Sequence, residues 1–295
     1  LVVSLEEEPM ASSSTTTSCG ADDKEEEKNS KCELIGYEAL PDWLKDNEFI
    51  HGYYRCEWPM KETILSIFSI HNETLNDTPG TATDALAVAA ATADPVTRWP
   101  LFAYLTGAML CLLTSSVCHL ILCHSERTAY VTLRLDYAGI ASLIVTSFYP
   151  LAYYSFLCDL ALQRLYMGSI TALGAAAVTV SLVPAFQAPE LRPLRAALFS
   201  CMGASGVVPI AHKLLLYGGT APGAVASAGY ETAMGALYGL GVVVYAARVP
   251  ERWAPGRFDL VGHSHQLFHL FVVAGAYAHY LAGVEYLKWR DVDKC

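Results

Sequence analysis

Eight ionisable side chains lie inside or at the edges of the apolar stretches of this chain: His119, Asp136, His212, Lys213, Glu231, His265, His269 and His279. Such groups are costly in hydrocarbon, so each is a candidate functional residue. His265-Gln-Leu-Phe-His269 sets two imidazoles at i and i+4 on one helical face, a spacing suited to chelating a single ion. Alone, HxxxH is a weak motif. His119 adds a third nitrogen, which is enough to hold Zn²⁺ with a fourth position open for water, and Asp136 is a candidate to orient or deprotonate that water. Ser115, one turn before His119, suits a supporting hydrogen bond. On spacing alone a second reading stands beside the first: the histidines bond to one another, to carbonyls or to waters in a polar bundle interior.

The elements that must position these residues read as membrane spans. Of 295 residues 53% are hydrophobic and 16% charged, and the mean hydropathy is +0.32, a balance seldom found in soluble domains. Six apolar segments follow Arg98, at 99–123, 136–158, 166–186, 196–216, 229–247 and 264–287. Each has roughly the 20 residues that cross ~30 Å of hydrocarbon as a helix. The expected fold is an all-α, polytopic transmembrane helix bundle, integral to its membrane and multi-pass. Arginines set its orientation: alternate loops carry Arg127 and Arg134, Arg192 and Arg195, then Arg248, Arg252 and Arg257, against Arg164 alone on the other side. The loops after the first, third and fifth spans are therefore expected in the cytosol. That puts His119, Asp136, His265 and His269 near one cytosolic depth.

Before the spans the chain changes character. Up to Arg98 it holds 7 Lys/Arg and 19 Asp/Glu, and beyond it 12 and 10. An acidic tail has the wrong sign for phosphate and disfavours nucleic acid as a partner. Residues 1–33 read as a disordered acidic tail, with no signal peptide and with Met10 a candidate start after the initial Leu1. Residues 34–76 read as a juxtamembrane segment, with Ile64, Leu65, Ile67 and Phe68 on a short amphipathic helix. Residues 77–98 are Ala/Thr-rich, 99–287 form the bundle and 288–295 a short tail. The nine cysteines are expected to be mostly reduced, Cys111, Cys118, Cys123, Cys158 and Cys201 lying in or beside apolar runs.

Five motifs in order carry a resemblance: Leu40-Pro-Asp-Trp-Leu-Lys-Asp-Asn-Glu-Phe-Ile-His-Gly-Tyr-Tyr-Arg55, Ser69-Ile-His-Asn-Glu-Thr-Leu-Asn76, Ser115-Ser-Val-Cys-His119 with Cys123-His-Ser-Glu126, Leu135-Asp-Tyr-Ala-Gly-Ile140, and Gly262-His-Ser-His-Gln-Leu-Phe-His269. Together they resemble the progestin and adiponectin receptor (hemolysin III-like) family, and most of all its plant branch, the heptahelical transmembrane proteins. The resemblance implies seven helices, a cytosolic N-terminus and a zinc ion held near the cytosolic face by His119, His265 and His269, with Ser115 and Asp136 as polar partners. It also implies hormone, sugar or osmotic-stress signalling, and a kinship of the site with membrane ceramidases. The family motif at His71-Asn-Glu-Thr-Leu-Asn76 runs on into a first transmembrane helix, whereas here Asp77-Thr-Pro-Gly80 and an Ala/Thr tract follow, so one helix is expected to be missing. Six spans with the loop charges fixed would put the tail outside the cytosol. Glycosylation at the sequons of Asn72 or Asn76 would mark it there.

The remaining polar residues have plainer readings. His212 and Lys213 are expected to snorkel or pair with a carboxylate, Glu231 to be interfacial, and His279, about 280° around the helix from His269, to join a far-side aromatic belt with Tyr277 and Tyr280. Three functions compete. A receptor takes a lipid or hormone ligand in the bundle; a zinc-dependent, ceramidase-like amidase uses Asp136 as general base, with Ser115 beside it. A transporter needs a polar path across the membrane, which a charged set gathered on one side does not supply. A retinal pigment lacks its lysine, because the last span has none before Lys288.

Overall fold

A computed structural model describes residues 32–66, 72–73, 95–183 and 191–295. The expected disordered tail, Ile67 and Phe68, most of the Ala/Thr-rich segment and the sequon asparagine Asn76 lie outside the described residues.

The described residues are helical, with a single isolated β-bridge between Ile35 and Tyr54. A short α1 (Met60–Leu65) precedes α2 (Trp99–Ile121), α3 (Glu126–Ser155), α4 (Leu160–Leu182), α5 (Arg192–Ala204), α6 (Val207–Tyr217), α7 (Pro222–Ala247) and α8 (Ser264–Val292). Five stretches are long and apolar enough to cross a membrane: Trp99–His124, Glu126–Ser155, Leu160–Leu182, Ala197–Tyr217 and Ser264–Val292. The 26-residue α7 has the length, but Glu231 and its glycines dilute its hydropathy. The chain is thus a polytopic helical membrane protein.

Several boundaries differ from the hydropathy reading, α4 and α7 beginning at Leu160 and Pro222 and not at 166 and 229. The fourth span is two helices, α5 and α6, parted at Ser205 and Gly206. The second begins at Glu126 and not at Asp136, because Ser125 caps it: its Oγ accepts from Thr128 N at 3.2 Å. Charged early turns extend that helix beyond its apolar part, so Arg127 and Arg134 sit on the helix and Asp136 lies in its third turn. Close backbone approach joins the helices where side chains vanish. A Cβ on Gly275 of α8 would stand 2.5 Å from the Tyr238 ring of α7.

The two ends of the bundle are fastened differently. At the end bearing His119 and His265, residues 32–66 form a strap across the helix termini. Arg55 is buried and donates to the carbonyls of His119 at 2.9 Å and Leu120 at 3.0 Å, satisfying acceptors that α2 leaves open in its last turn. Glu57 N donates to Cys123 O at 2.8 Å. Asn47 Nδ2 donates to buried Glu251 at 2.9 Å, and Glu251 accepts Ser264 N at 2.7 Å, which caps α8 with a carboxylate. His51 N donates to Asp259 at 3.0 Å. Asn72 and Glu73 sit at this same end, whereas Val96 and Arg98 hold Asp291 of α8 at the other, at 2.9 and 2.7 Å. The described part of the juxtamembrane segment is on the side of the histidines. Asn72 is buried, and a folded chain does not offer it for glycosylation.

At the far end Arg290 donates to the carbonyls of Tyr154 and Ser155 at 2.7 and 3.0 Å, and Cys158 is bonded to Cys295. The expectation of reduced thiols thus fails for this pair, while Cys111 and Cys201 are free. One helical layer inward lies a buried charge pair. Lys213 Nζ meets Glu231 at 2.6 Å, both fully buried, and also donates to Ser227 at 2.9 Å and to Tyr286 Oη at 2.7 Å; Tyr286 in turn donates to Glu231 at 2.6 Å. Glu231 is therefore not interfacial: its partner stands across the bundle, out of sight of local sequence. His279 does not join an outer belt either, being buried edge-on against Tyr104 with centroids 4.6 Å apart. His212 pairs with the Tyr166 hydroxyl at 2.9 Å, not with a carboxylate.

Two outcomes are expected. Digestion of unreduced protein yields a cross-linked peptide containing Cys158 and Cys295, lost on reduction and seen by mass spectrometry. Lys213→Met strands a buried carboxylate and lowers stability by about 3–5 kcal/mol, whereas Lys213→Met/Glu231→Leu recovers most of the loss, as read from thermal unfolding in detergent.

Candidate metal centre

Two helices distant in sequence supply the centre. His119 stands in the last turn of α2, and His265 and His269 occupy the first two turns of α8. The near end of α2 is fixed by Arg55 and that of α8 by Glu251, so both ligand-bearing turns are held by polar contacts rather than by apolar packing alone. A nitrogen from each of the three rings lies within 4.8 Å of the others. His119 Nε2 and His269 Nε2 are 3.3 Å apart. Two nitrogens at ~2.0–2.1 Å from one tetrahedral ion stand about 3.3–3.4 Å from each other, so the pair has the spacing of co-ligands. A single hydrogen bond between them would have the same length, but it leaves the third ring unexplained. His265 stacks on His269 at 4.9 Å and meets His119 edge-on at 4.7 Å. Three basic rings crowded in a low-dielectric setting repel as cations, and as neutral ligands they are suited to share one.

The outer nitrogen of His119 faces a carboxylate, as a metal ligand's often does. Its Nδ1 lies 3.0 Å from a Glu73 carboxylate oxygen. A carboxylate there selects the Nδ1–H tautomer and turns the Nε2 lone pair toward the cluster. Burial works to raise the Glu73 carboxyl, but the His119 ring first, and then His265 and His263, hold it well below the usual carboxylate range. It is a charged acceptor. Asn72 contributes its carbonyl, which takes His263 Nε2 at 3.0 Å and Gln266 Nε2 at 3.2 Å on either side of His265.

Asp136 and Ser115 come together as expected but stand outside the three-ring group. Ser115, buried one turn before His119, stands beside the Asp136 carboxyl. Glu73, His263 and Arg55 belong to the centre without having been singled out, and Asn72 was noted only as a sequon. They lie within the quoted motifs, but a lone Glu or Asn in a non-periodic segment gives no sign of what it faces.

Residues 68–280 match the model of the haemolysin-III-related family. The chain belongs to that family. Heptahelical transmembrane protein 4 of Arabidopsis thaliana is 45% identical over 351 aligned positions, taking in 90% of this chain and 91% of the relative. That alignment is longer than the 295-residue chain, so the plant relative has stretches with no counterpart here. Heptahelical transmembrane protein ADIPOR3 of Oryza sativa subsp. japonica is 41% identical over 89% of this chain and 92% of its own length. The Adiponectin receptor protein of Drosophila melanogaster is 39% identical, covering 86% of this chain and 60% of the fly protein. All three histidines fall inside the stretch matched by the haemolysin-III-related family.

Proposed function

We propose that this chain is a receptor-like membrane protein in which zinc, held by His119, His265 and His269, ties α2 to α8 near the cytosolic face, and that it serves plant hormone, sugar or osmotic-stress signalling. The observation that carries the reading is the convergence of three imidazoles from two distant helices, with two Nε2 atoms 3.3 Å apart. The cytosolic assignment is supported by Arg248, Arg252 and Arg257 in the loop beside His265 and by the disulfide at the opposite end, since such bonds persist in oxidising compartments. The receptor reading is favoured by the relatives, which are named as heptahelical transmembrane proteins and as an adiponectin receptor. A lipid or hormone ligand entering the bundle acts by binding one arrangement of these helices better than another. With α2 and α8 joined by the ion at this end and by Arg98 and Asp291 at the other, a shift of either helix carries the other with it.

A specific pair of residues keeps a second reading, a zinc-dependent lipid amidase of ceramidase type. Asp136 stands beside Ser115 and near His119. Zinc bound there would polarise an amide carbonyl and make an adjacent water more acidic. Asp136 would take the proton from that water as general base, and Ser115 would hold its carboxylate in line.

Purified protein in detergent is expected to carry about one zinc per chain by elemental analysis, and His265→Ala/His269→Ala to lose most of it. A monodisperse parent without zinc contradicts the proposal. Asp136→Asn separates the two readings when zinc content and ceramide hydrolysis are measured together. A receptor keeps its zinc and has no turnover to lose, whereas an amidase keeps its zinc and loses a turnover that the parent shows.

A further inference from the structure

The metal centre draws on three parts of the chain, of which only two carry histidines. The third is the strap that runs from residue 32 and reappears at Asn72 and Glu73. It touches the site from both sides. On the α2 side Arg55 donates to the carbonyl of His119 itself, and Glu73 stands 3.0 Å from Nδ1 of the same residue. On the α8 side Asn47 holds Glu251, Glu251 holds Ser264 next to His265, and the Asn72 carbonyl takes His263 and Gln266. A stray surface loop would not bury Arg55 and Asn72 at the ends of the two histidine-bearing helices and set a half-buried carboxylate against His119.

We propose that the N-terminal strap is a working part of the metal site, with Glu73 as the positioning residue that orients His119, so that strap docking and metal binding strengthen one another. The inference rests on the zinc reading above and adds its regulation. Without the carboxylate, His119 is free to take the other tautomer or turn its ring, and the ion loses a preorganised ligand; outer partners of this kind are typically worth ~10–100-fold in affinity. Linkage then works in reverse: whatever factor the docked strap contributes to metal affinity, bound metal contributes to strap docking. A cytosolic partner or modification that lifts the strap would therefore loosen the ion, and loss of the ion would free the strap. Glu73 itself touches no substrate and acts only through His119.

The test measures zinc affinity of the full chain in detergent by competition with a chromogenic chelator, for the parent, Glu73→Ala, Glu73→Gln and Glu73→Asp. Hydrogen exchange over residues 32–66 is followed in the same samples with zinc bound and after chelation. The expected result is a loss of ~10–100-fold in Glu73→Ala, a smaller loss in Glu73→Gln, which keeps an acceptor, and partial recovery in Glu73→Asp. Chelation is expected to release protection over 32–66 in the parent and to change it less in Glu73→Ala. A monodisperse Glu73→Ala or Glu73→Gln protein that binds zinc as tightly as the parent overturns the inference while leaving the zinc site standing. Strap exchange indifferent to chelation overturns the coupling. A parent with no measurable zinc affinity overturns the site, and the coupling with it.

Discussion

Hydrocarbon offers no hydrogen bonds, and every polar group carried into the bundle must find its partner within the protein. That constraint accounts for both polar clusters. Lys213 and Glu231 are tolerable in the interior because Ser227 and Tyr286 complete their shell, the Tyr286 hydroxyl accepting from lysine while donating to carboxylate. The histidine cluster answers the same demand in another way. Its rings have each other, Glu73 on one outer nitrogen, and a geometry that a cation would complete. The helix termini are subject to the constraint as well: Arg55 closes the end of α2 and Glu251 the start of α8, so the groups that make these ends stable also fix where the ligand-bearing turns stand.

Much of this architecture was legible in the amino-acid sequence because hydropathy is a local property. Stretches of twenty apolar residues mark their own helices. The i, i+4 histidines were legible for a related reason, since helical periodicity alone puts His265 and His269 on one face. What local patterns do not encode is the partner across space. Glu231 reads as interfacial from its place near the start of an apolar run, yet Lys213 lies on a different helix. His279 reads as outer from its angular offset, yet the offset is measured from His269 and carries no information about where Tyr104 stands. The early start of α3 was hidden because capping by Ser125 and the limit of hydrocarbon are separate signals, and hydropathy reports only the second.

Glu73 illustrates the same limit at the site. Its motif was conspicuous, but nothing in a short non-periodic run of residues says that a carboxylate will meet an imidazole 46 positions later. The contact depends on the strap crossing from the α2 terminus to the α7–α8 loop, and that crossing is fixed by dispersed pairs such as Asn47 with Glu251 and His51 with Asp259. The far end shows a complementary economy. Arg98, Asp291, Arg290 and the Cys158–Cys295 bond hold the last turns of α8 against α2 and α3, so α8 is anchored at one end by polar and covalent contacts and at the other by the strap.

The central claim is that three imidazole nitrogens from α2 and α8 share one zinc ion. Zinc K-edge X-ray absorption on the purified chain tests it most directly, because the signal comes from the metal's own neighbours. The account predicts three imidazole nitrogens at ~2.0–2.1 Å in a four-coordinate shell, with the multiple-scattering pattern of histidine rings. An all-oxygen or sulfur shell, or no zinc edge from folded protein, would contradict it.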